Sequence, residues 1–418
     1  MRWLSLFGVV LACSPSRSQR VFAVNVAVWG PLDPIGPASA SASTYAQYWV
    51  YEIIGRFDAE GKLVPALASL IEPRGGGRAY VELRPDHFFS DGAPVTAADV
   101  ERSLRANGMR MVPSGPGFII ERLQQALPLE VLLARSLIFR EKAGRLLGSG
   151  PFAVAEQSDE RIRLVRRHPV PNRIGEVTLI SYPTPRDAFT HTLKGDANLI
   201  PEPDPGWVEF FEGVPRLRVV HGEGRQTDSI AFNARLAKSA RIALAQAIGS
   251  NTVRDLAFGP GCAEARNRAT PEAPVPPGAK LDILSWPSLE RFALAVRRRL
   301  GERGGEILAV QPAEAVARAA QGKFDLIPIR ALVWPPSMAA LLWRTGSREN
   351  LVGYSNAAVD KALDVEDWRA AEAALRDDPP AAFVCTRDRL AVIDARIKDP
   401  TLGPYDLLET LPDWEVGE

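Results

Sequence analysis

Between Leu281 and Arg330 the chain alternates strand and helix signals in a way that leaves few folds open. Leu281 to Trp286 (LDILSW) is β-rich. From Ser288 to Leu300, the residues Leu289, Phe292, Ala293, Val296 and Leu300 fall on one face at the helical period. Glu306 to Val310 reads as a second strand, Pro312 to Gln321 as a second helix, and Phe324 to Arg330 as a third strand. Such alternation implies a parallel sheet with right-handed crossovers. In these sheets ligands sit beyond the carboxyl ends of the strands. The third strand runs out at Arg330 to Pro336 (RALVWPP), so that end is the first place to look for a site.

The chain is too long for one small core. At 418 residues, two or three domains are expected. Formal net charge is zero, which argues against a nucleic-acid partner, since those usually need a basic surface. The 35 prolines act as punctuation between ordinary apolar segments. The clearest proline run, Pro271 to Gly278, reads as a stiff linker marking the crossing from one lobe to the next.

At the N-terminus Arg2 precedes an apolar run from Trp3 to Ala12, then Cys13. The run is shorter than the ~20 residues a spanning helix needs, and it fits the apolar region of a signal peptide. Val10-Leu11-Ala12-Cys13 resembles a bacterial lipobox, which would place a lipid on Cys13. Cys262 and Cys385 remain. They would pair in an oxidising compartment only if their Cα atoms come within bridging distance. The expectation adopted is two separate buried thiols.

Leu83 to Leu104 (LRPDHFFSDGAPVTAADVERSL) reads as a strand end, a tight turn at Asp91-Gly92 and a helix. Thr96 is its expected N-cap, with Asp99 three residues on. This stretch also resembles the signature of the family 5 extracellular solute-binding proteins, the receptors of peptide- and nickel-type ABC importers. Leu32-Asp33-Pro34, Tyr51 to Ala68, Gly148 to Val154, Leu193 to Ile200, Ile230 to Ala234 and Gly353 to Leu363 follow in that family's order. Together they span nearly the whole chain, which resembles a shortened and divergent member.

The resemblance implies an α/β fold of the type II periplasmic binding protein kind. Two lobes would flank a hinge and a ligand cleft, with a small extra domain inserted in the first lobe. The expected division is a signal peptide and tether over 1–20, lobe one over 21–57, 148–270 and 389–418, the small domain over 58–147, and lobe two over 271–388. Expected ligand contacts are Ser43 and Tyr45 beside the loop from Gly30, Glu202 at the end of a strand, and Arg330, Leu332, Trp334 and Trp343 in lobe two. Peptide binders of the family carry an Asp where Leu332 falls, and that Asp pairs with the peptide's α-ammonium. A buried ammonium facing Leu would be costly, so a conventional free-N-terminus peptide receptor is not expected. Arg330, two residues away, is suited to grip a carboxylate.

No hydrolase, metalloprotease or phosphate-loop motif is present, and the four histidines lack ligand spacing. The expectation is therefore a protein that is not an enzyme and needs no cofactor or metal. It would be a monomeric lipoprotein of the periplasm or cell envelope, passing a peptide-like or organic-acid solute to an ABC permease. The rival expectation is a lipoprotein of the same fold with a degenerate cleft, serving as a sensor partner or assembly factor.

Overall fold

The structure is a computed structural model that describes residues 22–39, 41–58, 60–123, 127–259, 262–265, 269, 271–332, 338–347, 349–403 and 406–417. The expected leader, Cys13 and Trp334 lie outside the described residues.

Two long antiparallel strands, Leu217–Phe232 and Ala381–Asp394, form the spine of the molecule. They belong to an 11-stranded sheet and lie at its centre. On one side come Leu199–Pro201, Phe22–Trp29, Ile174–Tyr182, Arg161–Arg166 and Phe152–Gln157; on the other come Leu326–Leu332, Leu281–Ser285 and Gly304–Ala309. Each half is covered by its own core. Trp49, Val26, Leu164, Leu199 and Ile393 pack in the first lobe, and the buried Trp49 indole donates to the Leu408 carbonyl at 2.7 Å. Ile230, Leu244, Ile283, Phe292 and Val296 pack in the second.

The strands Leu281–Ser285, Gly304–Ala309 and Leu326–Leu332 run parallel, as the alternation from Leu281 predicts, while Leu326–Leu332 pairs antiparallel with the spine. The helix Glu290–Leu300 buries Phe292, Ala293, Val296 and Leu300 and leaves its arginines outward or half-exposed. The proline run is not the crossing between lobes. Ile230, Leu244, Ile248 and Val253 already pack with the second core, so the chain crosses within the long strand near Gly222 to Gln226. Ser229 to Phe232 is the end of this 16-residue element.

Ladder register slips between Gly222 and Gln226, and again between Asp228 and Ser229. Bulges bend and twist a strand, and here they fall where the two lobes meet. Gly224 fits because it lacks a side chain: a Cβ would lie 2.3 Å from the Arg387 carbonyl oxygen.

A separate four-stranded sheet, ordered Ala68–Gly75, Arg78–Leu83, Gly117–Arg122, Met109–Ser114, forms the inserted domain with the helix Ala97–Ala106. Val81, Val100, Leu104, Met109 and Ile120 fill its core. Thr96 caps the helix in a capping box with Asp99, as the sequence predicts. Met109 to Phe118 is a hairpin turning at Gly115 (φ +60°); the alternation of buried Met109 and Met111 with exposed Arg110 and Val112 is a strand period. Tyr45 lies in a 3-10 turn over Ala42–Ala46, which leads to a single helical turn over Gln47–Val50.

Cys262 and Cys385 form a disulfide with a Cα–Cα distance of 5.7 Å, which corrects the expectation of two thiols. The short strand Cys262–Glu264 pairs with the spine at Cys385 to Arg387 and brings the two sulfurs together. A disulfide of this kind belongs to an oxidising compartment.

Candidate ligand-binding cleft

Beside the spine, where the two lobes meet, lies a cleft of about 570 Å³, within the ~300–1,000 Å³ usual for small-molecule sites. Its walls come from three sources. The first lobe supplies Glu202 and Pro203 at the end of a strand, and the helix Val208–Glu212. The second lobe supplies Phe258, Arg291 and Arg330. The spine supplies His221, Gln226, Arg387, Asp388 and Arg389.

The organising group is Asp228. Its side chain is fully buried, opposite Arg330 in the strand ladder. One carboxylate oxygen accepts the Arg330 Nε–H at 3.0 Å and the other the Arg387 Nε–H at 2.6 Å. Burial raises the Asp228 carboxyl above its ordinary value, while the Arg330 guanidinium pulls it back. Because each arginine spends its Nε on Asp228, the two Nη ends are left over, and among the described residues they take no further hydrogen bond. Both arginines line the cleft. Arg387 also lies over the Phe258 ring, 5.2 Å from its centroid. A pair of guanidinium forks held edge-on in this way suits an oxyanion such as a carboxylate.

One strand repeat along from Arg387, about 7 Å away, is the nearly buried Arg389. It donates to the Gly403 carbonyl at 3.0 Å and to Glu202 at 3.3 Å. The other Glu202 oxygen lies 3.4 Å from the Tyr45 hydroxyl. Burial, then the Glu202 charge, pushes the Tyr45 phenol well above its ordinary value. Burial pushes the neighbouring Asp406 carboxyl up to about 7, with Arg389 opposing. Glu202 itself has φ +46°, a region non-glycine residues seldom occupy, and its N–H is held by the Leu390 carbonyl at 2.9 Å. Strained backbone of this kind gathers at ligand sites.

Leu332 stands opposite Gln226 in the ladder. Ser43 is buried, and its hydroxyl donates to the Asp33 carbonyl at 2.6 Å within its own loop. Trp343 is a core residue, edge-on to Tyr354 and Phe383, and not a cleft wall. Asp228, Arg387, Arg389 and Phe258 were not anticipated. Thr386-Arg387-Asp388-Arg389 carried a signal, since alternate residues of a strand share a face.

No protein-family model matches the sequence, and no curated protein does. Solved structures match over nearly the full length. NikA from Staphylococcus aureus, in complex with Ni(L-His)2, superposes with a TM-score of 0.77 at 15% identity, covering 94% of this chain and 100% of that one. The oligopeptide-binding protein AppA from Bacillus subtilis, in complex with a nonapeptide, gives 0.76 at 16%, covering 95% and 99%. The fold is that of the family 5 solute-binding proteins. A third structure with this solute-binding fold, AgaA from A. tumefacien R10 in complex with agropinic acid, gives 0.77 at 15%, covering 95% and 99%. Those three ligands differ widely in chemistry, so the fold by itself leaves the nature of a ligand to the side chains of the site.

Among the described residues, no group of three or more His, Cys, Asp or Glu is arranged to hold a metal ion. Nor is any described helix long and apolar enough to cross a membrane.

Proposed function

We propose that this chain is a divergent family 5 solute-binding protein that captures a small organic solute carrying a carboxylate in the cleft between its lobes. The observation that carries the reading is the Asp228 bridge, which fixes Arg330 and Arg387 side by side at the cleft wall. The two arginines and one aspartate sum to one net positive charge, which an incoming carboxylate would neutralise. Tyr45 and Glu202 would line the second end of the ligand, with Arg389 holding Glu202 in place. The chain would bind and release its ligand unchanged, pass it to an ABC permease, and sit at the cell envelope as a monomer through a lipid on Cys13. The division expected from the sequence is kept, with the crossing into the second lobe moved to the spine.

The rival reading, a non-transport lipoprotein with a filled cleft, fits less well, because the cleft has room for a drug-sized ligand. The test is a thermal-shift screen of matched solutes, each organic acid beside its primary amide. At least one acid should raise the Tm while its amide does not, and Arg387→Ala should abolish the shift. Shifts given equally by the amides, or kept in Arg387→Ala, would sink the carboxylate reading.

A further inference from the structure

The inserted domain touches the second lobe away from the cleft. Met338, of the second lobe, is only 5% exposed because it fills a socket made by Phe57, Val131 and Ala134. Val131 and Ala134 lie one turn apart on the helix Leu129–Arg135. Phe57 comes from the strand Gly55–Phe57, where the chain leaves the first lobe. Arg135, at the end of the same helix, pairs with Glu349 of the second lobe at 3.3 Å. Leu127, just before the helix, packs against the second lobe's core. None of these residues lines the cleft.

The contact is one side chain plugged into a socket, with Leu127 beside it reaching the edge of the second lobe's core. Beside it, a groove of about 520 Å³ separates the inserted domain, at its glycine turn Gly75 to Gly77, from the second lobe at Asp364 to Glu366. A small apolar contact bordered by a groove can part without unfolding either side. The spine, by contrast, is continuous backbone and can only bend.

We propose that the inserted domain is a latch: its Phe57–Val131–Ala134 socket takes up Met338 when the lobes close and biases the ligand-free protein toward the closed form. This rests on the hinged-receptor reading and adds to it a contact that sets ligand affinity without touching ligand. A receptor whose closed form is only partly populated binds with an affinity reduced by that fraction. Withdrawing one large side chain from a socket shifts such an equilibrium by about tenfold. Arg135–Glu349 is half-exposed on both sides and contributes far less.

The test is small-angle X-ray scattering of the full chain without any ligand, so it can fail while solute binding stands, and the reverse. Wild type and Met338→Leu should scatter as the closed form. Met338→Asp should show a larger radius of gyration with unchanged far-ultraviolet circular dichroism, the open-to-closed ratio rising about tenfold or more. Arg135→Ala should stay close to wild type. Coincident curves for wild type and Met338→Asp, whether both compact or both expanded, would overturn the latch.

Discussion

Asp228 and Arg387 meet diagonally across the two long strands, where Asp228 is paired with Cys385 and Arg387 with Gln226, and the Arg387 Nε–H donates to the buried carboxylate at 2.6 Å. Arg330 meets the same carboxylate from the second lobe's last strand. One acidic side chain thus orients two basic ones toward the cleft while staying out of water itself. Removing it strands both. Asp228→Ala should lower stability by about 3–5 kcal/mol, the usual cost of breaking a buried ion pair, and should abolish the thermal shift given by acids. Denaturant titration with a parallel ligand screen reads both. A variant as stable as wild type would show that the bridge does not hold this part of the spine.

Asp406 gives a pH dependence whose sign follows from its raised pKa. Folded, it titrates near 7; unfolded, it titrates near its ordinary 3.8. The folded state therefore holds the proton more tightly. Its favourable contribution is complete below about pH 4, and it is lost as the pH climbs from there to about 7. Asp406→Asn should flatten the stability profile across that window and raise stability at pH 8 by up to about 4 kcal/mol. Chemical denaturation at pH 4, 6 and 8 checks this, and parallel profiles for the two proteins would contradict it.

Gly224 sits in the bulge of the spine, against the Arg387 backbone. Gly224→Ala forces a methyl into space held by a carbonyl oxygen 2.3 Å away. The strand must shift, at a cost of roughly 1–3 kcal/mol, and Arg387 shifts with it. Affinity for acids should fall together with the Tm. Unchanged affinity would separate Arg387 from this stretch of backbone.

The disulfide closes a loop of 123 residues that spans most of the second lobe. Replacing Cys262 and Cys385 by serine should lower stability by about 3–5 kcal/mol, read from the denaturant midpoint. A midpoint equal to wild type would mean that the two halves of the second lobe hold together without the bond.

Much of the second lobe was legible because its strands and helices announce themselves by period: Phe292, Val296 and Leu300 repeat as a helix must, and the parallel sheet follows from their order. The capped helix after Thr96 was equally plain, since Thr96 and Asp99 are three residues apart whatever the tertiary fold. The spine was not. Gly222-Glu223-Gly224 breaks the apolar pattern of Leu217–Phe232, so a single strand looks like two pieces. The disulfide was hidden because its partner strand is three residues long and gains its register from Cys385. Arg330 could be singled out because it lies near the carboxyl end of a strand in a parallel set. Its partners Asp228 and Arg387 lie on strands 102 and 57 residues away, and only the fold brings them to one place. Trp343 misled because a tryptophan after a strand end suits a pocket wall and a core equally well.

A carboxylate-bearing solute in the cleft would rest against Arg330 and Arg387. Native mass spectrometry of the full chain, purified gently from its own host, tests it most directly. A discrete added mass is expected, one that denaturation releases, that carries a carboxyl group on fragmentation, and that is missing from Arg387→Ala prepared in parallel. A bare protein mass, or an adduct that persists unchanged in Arg387→Ala, would contradict it.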